Sequence, residues 1–146
     1  MQFQDFGLAA AISFAAIGSA LGTGAAGMAA VGAWKKCFAQ SKAAPFMLVA
    51  FVGAPLSQTI YGMILMGKIS TAAAAGHYFW GVGIFGGLAI VMSAWMQGKA
   101  GAGAADALAE TGKGFGNYMM VLGVIETVAL FVMVFLLGKV GMLSAG

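Results

Sequence analysis

The sequence carries little charge. Only 8% of its 146 residues are charged, whereas 62% are apolar. Soluble globular domains carry about a quarter of their residues as charges. This composition therefore excludes an ordinary soluble domain and indicates a membrane protein.

Several residue types needed for other functions are scarce. All seven basic residues are lysines, and no basic run is fit to bind nucleic acid. A single Cys37 excludes an internal disulfide, and no cluster of cysteine and histidine indicates zinc. The phosphate-binding pattern GxxxxGK[ST] is absent. We therefore expect no catalytic residue, no cofactor and no ATP site on this chain.

The few charges leave four runs of 25 to 30 residues that are uncharged apart from one acid in the last run. A helix of about 20 apolar residues crosses a bilayer, and the runs lack the alternation of barrel strands. The segment before the first run contains Asp5 but no lysine, so we expect no cleavable signal peptide. The prediction is an all-α membrane protein, a single membrane domain over 1–146. Its helices are predicted at approximately 6–34, 44–67, 76–105 and 114–139.

The lysines predict an orientation. Five fall after the first helix or between the third and fourth, and two fall on the opposite side. Lysine-rich loops stay in the cytoplasm, so we expect cytoplasmic polar loops and both termini outside the cell membrane. The five are Lys35, Lys36, Lys42, Lys99 and Lys113; the two are Lys68 and Lys139.

The first helix has small residues on every face over residues 18–27, with Gly18 and Gly22 at GxxxG spacing. Such a helix can approach neighbours closely on several sides, as on the inside of a ring.

The chain also contains an internal repeat, which predicts two duplicated hairpins, 1–68 and 69–146. Leu56 of the first hairpin stands where the second has Glu126, so only one hairpin keeps the carboxylate. The alignment places 19–27 on 93–101 at a spacing of 74, and 55–63 on 125–133 at a spacing of 70.

Glu126 has 12 residues on either side of it within the run 114–138, which places it near the membrane midplane. An acid at that depth costs on the order of 3 kcal/mol to insert. We therefore interpret Glu126 as the carrier of an ion. The alternative is an acid that only hydrogen-bonds a neighbouring helix.

Polar residues of helix 2 and helix 3 are predicted at the depth of Glu126. Gln58 and Tyr61 share a helix face. Pro55 tends to kink that helix, and backbone oxygens near a kink can turn toward a ligand. Gln97 lies 14 residues before a turn near Thr111, and Glu126 lies 15 residues after that turn. The two side chains should therefore lie at about the same depth in the membrane.

With Ser57, these residues supply one carboxylate, two amide oxygens and a hydroxyl. One negative charge among neutral oxygens suits a monovalent hard cation, whereas a proton needs fewer oxygens. The set favours Na+ over H+. The alternative is that Gln58, Gln97 and Ser57 only tie helices together.

Four parts of the chain together form a familiar pattern: the small first helix, Pro55-Leu56-Ser57-Gln58-Thr59-Ile60-Tyr61-Gly62, Gln97-Gly98-Lys99 and Val124-Ile125-Glu126-Thr127. They resemble the proteolipid of rotary V-type ATPases, the duplicated four-helix c or K subunit, over essentially the whole chain. The resemblance implies a homo-oligomeric ring in the bilayer that turns against a stator subunit with an arginine. It also implies central-stalk subunits at the cytoplasmic loops, ATP chemistry on other subunits and a prokaryotic plasma membrane.

The sodium-type members of that family imply the ligands of the ion. Ser57 stands where their pattern has threonine and keeps the hydroxyl, and Leu56 stands where it has glycine. Carried onto this chain, the ligands are Glu126, Gln58, Gln97, Ser57 and the carbonyl of Ala54, with Tyr61 closing the site.

Three other interpretations remain open. A proton-specific ring would differ only in the ion that Glu126 holds. A small four-helix cation or drug antiporter would need a substrate cavity, which the dense glycine and alanine disfavour. In a structural tetraspan, Glu126 would be a tie between helices.

Overall fold

The computed structural model describes residues 6–145 and contains four helices long and apolar enough to cross a membrane. No strand occurs within that part of the chain. The predicted all-α fold class with four membrane helices is therefore confirmed. Asp5 and the two chain ends lie outside the described residues. The helices are α1 (Phe6–Ala39), α2 (Leu48–Ala74), α3 (Trp80–Thr111) and α4 (Phe115–Leu143).

Each helix ends four to seven residues beyond its predicted C-terminal limit, whereas α2 and α3 each begin four residues later than predicted. Lys36 lies in the last turn of α1, and Asp106 lies inside α3, where the two form an exposed ion pair of 2.8 Å. Lysine is a good helix former, so a charge that marks the edge of the bilayer does not end a helix. The connection from α3 to α4 is short because Gly112 and Gly114 adopt positive φ angles of 66° and 89°.

The buried face of α1 consists entirely of small residues, and it packs against α3 and α2. A Cβ at Gly98 of α3 would contact the backbone of Gly22, so the two helix backbones touch there. Glycines at such a crossing permit this close approach. The buried residues of α1 are Gly7, Ala11, Ala15, Gly18, Ser19, Gly22, Ala26, Ala30, Ala33 and Cys37.

Glu126 lies on the face of α4 that packs against the other helices. The buried Leu122 is four residues before it and the buried Ala129 three residues after it, spacings that share one helix face. Because α4 contacts α2 and α3, the fold directs the carboxylate toward those helices.

The inward stripe of α2 recurs at alternating steps of three and four residues. Gln58 belongs to this stripe, so the amide faces into the bundle along with apolar residues. The buried residues of α2 are Leu48, Phe51, Pro55, Gln58, Gly62, Leu65, Ile69 and Ala72.

Candidate ion-binding site

The carboxylate of Glu126 accepts hydrogen bonds from two other helices. The Tyr61 hydroxyl of α2 donates to Oε1 at 2.7 Å, and Nε2 of Gln97 of α3 donates to Oε2 at 3.3 Å. Glu126 is half-buried. Each carboxylate oxygen thus has a neutral donor, and a short, direct bond joins α2 to α4.

Gln97 is the centre of the hydrogen-bonded network. Its side chain is fully buried. Nε2 also donates to the carbonyl oxygen of Leu122 at 3.0 Å, and Oε1 accepts from Nε2 of Gln58 at 2.8 Å. A side-chain amide offers two N–H donors and a carbonyl oxygen with two lone pairs. Both donors of Gln97 are used, and its oxygen keeps one lone pair.

The network continues from Gln58 to the backbone of α2. Gln58 is also fully buried, and its Oε1 lies 3.1 Å from the hydroxyl of Ser57. That hydroxyl lies 3.0 Å from the carbonyl oxygen of Ala54. A hydroxyl has one proton to donate and lone pairs that accept, so Ser57 keeps a lone pair free for a cation.

Proline interrupts α2 at the level of the site. The helix is α-helical over Leu48–Gly53, 3-10 over Ala54–Leu56 and α-helical again from Ser57. Pro55 has no N–H to donate to the carbonyl one turn earlier, which disfavours a regular α-helix there. The sequence predicts a kink at Pro55, and the structure has a 3-10 turn at that position.

Gly22 of α1 provides the space for this irregular turn. A Cβ on Gly22 would lie 2.8 Å from Cβ of Pro55 and would also contact the carbonyl oxygen of Ala94. The missing side chain of α1 thus allows the proline ring of α2 and the backbone of α3 to approach at the depth of the site.

The structure brings together all six residues that sequence and resemblance single out. They form one contiguous series of polar contacts across α2, α3 and α4, in the order Ala54, Ser57, Gln58, Gln97, Glu126 and Tyr61, with the single proton of Ser57 facing both Ala54 and Gln58. Their roles as ligands of an ion remain predictions.

No cationic side chain neutralises Glu126 within residues 6–145, where the one ion pair is that of Lys36 with Asp106. Lys99 is close to Gln97 in sequence, but it is exposed, with Nζ 5.2 Å from the ring centroid of Trp95. An uncompensated carboxylate in hydrocarbon is costly. A bound proton or monovalent cation would remove that charge.

Sequence reasoning missed one side chain beside the site. The Ser93 hydroxyl of α3, 5% exposed, donates to the carbonyl oxygen of Ile125 at 2.9 Å. Ser93 precedes Gln97 by four residues, so both lie on one helix face. That spacing is the signal that could have identified it.

Comparison with known proteins bears on the second hairpin. Residues 80–137 match the family model for the C subunit of ATP synthase. The matched segment covers most of α3 and α4 and includes Gln97 and Glu126. None of the curated proteins matches the chain.

Proposed function

We propose that this chain is the rotor-ring subunit of a V-type ATPase membrane sector. Identical copies would carry Na+ (or H+) on Glu126 as the ring rotates, coupled to ATP hydrolysis or synthesis elsewhere in the complex. The observation that carries the proposal is the carboxylate of Glu126, which has no cationic partner among the described residues and is held by Tyr61 and Gln97. The match of the second hairpin to the ATP synthase C subunit supports it.

The transport mechanism follows from the cost of charge in lipid. A site that faces hydrocarbon must be neutral, so Glu126 crosses the lipid only while it holds an ion. At the stator, water and an arginine stabilise the bare carboxylate, and the ion is released. Each ion then contributes about 2.3 kcal/mol per 100 mV of membrane potential to rotation.

The oxygen content of the site favours Na+ over H+ as the cargo. The amide oxygens of Gln58 and Gln97, the hydroxyl of Ser57 and the carbonyl of Ala54 lie in one network with Glu126. Na+ is a hard cation that takes several oxygen ligands, and one carboxylate balances its charge. A proton would use the carboxylate alone and would need none of the remaining lone pairs of these oxygens.

The proposal includes an orientation. The loops at residues 40–47 and 112–114 would face the cytoplasm and contact central-stalk subunits, with both termini outside the cell. The excess of lysines on that side supports this orientation.

The size of the assembly tests the proposal. Each chain is 14.7 kDa, so extraction in mild detergent should give a uniform particle whose native mass is a large integer multiple of that value. Glu126→Gln should assemble equally well, because glutamine keeps the size of the side chain and removes its charge. A wild-type chain that is only monomeric or dimeric would contradict a rotor ring and favour an antiporter or a structural tetraspan.

A further inference from the structure

Two hydrogen bonds from α3 reach backbone carbonyls of α4 in the turn that precedes Glu126. Gln97 donates to the carbonyl oxygen of Leu122 at 3.0 Å, and Ser93 donates to that of Ile125 at 2.9 Å. Both donor side chains are buried. Leu122 lies one turn before Glu126 in α4, and Ile125 is its immediate neighbour.

The bond from Ser93 is additional to the backbone bonds of the helix. In a regular α-helix the carbonyl of Ile125 accepts the N–H four residues later, and its second lone pair remains available. Ser93 uses that lone pair. The bond therefore adds nothing to the helix itself and instead fixes α4 relative to α3.

Two attachment points constrain rotation as well as position. Ser93 and Gln97 are about 6 Å apart along α3, and their acceptors are about 4.5 Å apart along α4 at the helical rise. With one attachment, α4 could turn about its axis and move Glu126 away from the Tyr61 hydroxyl. The second attachment acts on the peptide unit that precedes Glu126.

We infer that Ser93 is a positioning residue of the ion site. Its hydroxyl holds α4 in the rotation at which the Glu126 carboxylate meets Tyr61 and Gln97. The inference rests on the proposed function of Glu126, and it assigns Ser93 no direct contact with the ion.

The first hairpin contains a natural control. Ser19 corresponds to Ser93 in the internal repeat and is also buried, at 2% exposure. Its hydroxyl oxygen accepts from Oγ1 of Thr59 at 2.8 Å. The loss of Ser19 would therefore remove an inter-helix hydrogen bond of similar length in the hairpin that has Leu56 in place of the carboxylate.

The test compares Ser93→Ala with Ser19→Ala in the assembled complex. Dicyclohexylcarbodiimide attacks protonated membrane carboxyls, so its rate of reaction at Glu126 reports how firmly an ion is held. The readouts are the Na+ concentration that halves labelling and the pH at which labelling is half-maximal. We expect Ser93→Ala to raise the half-protecting concentration about three- to tenfold, as for the loss of one hydrogen bond. Ser19→Ala should change it less than about twofold, because in the described part of the chain neither Ser19 nor its partner Thr59 is hydrogen-bonded to a side chain of the site.

A conservative variant separates positioning from packing. Ser93→Thr keeps the hydroxyl and should restore protection to near the wild-type value. If Ser93→Ala fails to assemble, Ser93→Cys provides the same comparison, because a thiol is a weak donor of similar size.

The outcomes distinguish the inference from the proposed function. Equal changes in the Ser93→Ala and Ser19→Ala proteins, or no change in either while the wild type is protected, would overturn the positioning role alone. If the wild type is labelled without protection by Na+, Ser93→Ala and Ser19→Ala are compared by the pH at which labelling is half-maximal. No labelling of wild-type Glu126 would overturn the proposed function, and the inference with it.

Discussion

Neutral groups alone hold the carboxylate of Glu126 within the described part of this chain. The Tyr61 hydroxyl and the Gln97 amide each donate to one oxygen, at 2.7 and 3.3 Å. Such donors stabilise a carboxylate without cancelling its charge. At the scale of single residues, the site is therefore ready to accept a cation, and the departure of that cation leaves a charge that lipid does not tolerate.

Removing the closer donor should weaken ion binding. Tyr61→Phe keeps the ring and deletes the hydroxyl that donates to Oε1 of Glu126. A hydrogen bond to a charged group contributes about 1.5–3 kcal/mol, so we expect the Na+ concentration that protects Glu126 to rise about ten- to a hundredfold. The measurement is the same labelling titration.

Tyr118→Phe is the matched control for that change. Tyr118 is also half-buried, but its ring packs against Phe51, with the centroids 6.2 Å apart. We expect its titration to coincide with that of the wild type. A similar weakening in both variants would mean that the hydroxyl of Tyr61 has no specific role.

The helices were more predictable than the contacts between them. Long uncharged runs predict four helices because the bilayer requires about 20 apolar residues per span. Pro55 predicts the irregular turn of α2 because proline has no N–H to donate. The hydrogen bonds of Ser93 and Gln97 to α4 carbonyls could not be predicted, because they depend on how each helix is rotated about its axis. Small residues on several faces of α1 leave that rotation undetermined in the sequence.

At the level of elements, the crossing of α1 and α3 should be intolerant of a single methyl group. Gly22→Ala would place a Cβ against the carbonyl oxygen of Ala94 and 2.8 Å from Cβ of Pro55. Overpacking of this kind costs about 1–3 kcal/mol. We expect that loss in the free energy of unfolding, measured by circular dichroism in mixed micelles.

Gly24→Ala provides the comparison on the same helix. A Cβ at Gly24 would meet no atom within 4 Å, and alanine favours a helix over glycine by about 1 kcal/mol. This variant should be as stable as the wild type or more stable. An equal loss of stability in both variants would contradict the close contact of α1 with α3.

Across the whole molecule, the site belongs to three helices and to neither hairpin alone. Gln58 and Tyr61 come from α2 in the first hairpin, whereas Gln97 and Glu126 come from α3 and α4 in the second. The two hairpins thus contribute different residues to the site. Sequence reasoning found Gln58, Gln97 and Glu126 because amides and acids are rare within apolar spans, where each one is costly. It found Tyr61 because that residue shares a helix face with Gln58.

The outer surface of the bundle is apolar. Large hydrophobic side chains such as Ile60 and Met63 of α2 and Val124 and Val128 of α4 are more than half exposed. In the proposed ring, lipid and neighbouring copies would cover this surface. In that ring, the stripe of α4 that contains Val124 and Val128 would flank Glu126 and place its carboxylate close to the lipid boundary.

Labelling of wild-type Glu126 with dicyclohexylcarbodiimide in the purified membrane complex is the sharpest test of ion carriage by this chain. The reaction is run at mildly acid pH with and without Na+, and the adduct is located by mass spectrometry. We expect one adduct per labelled chain, at Glu126, with protection by Na+. Labelling that is unaffected by Na+ but falls as the pH rises would identify H+, and not Na+, as the transported ion. An absence of labelling at Glu126 would contradict ion carriage and leave the carboxylate as a tie between helices.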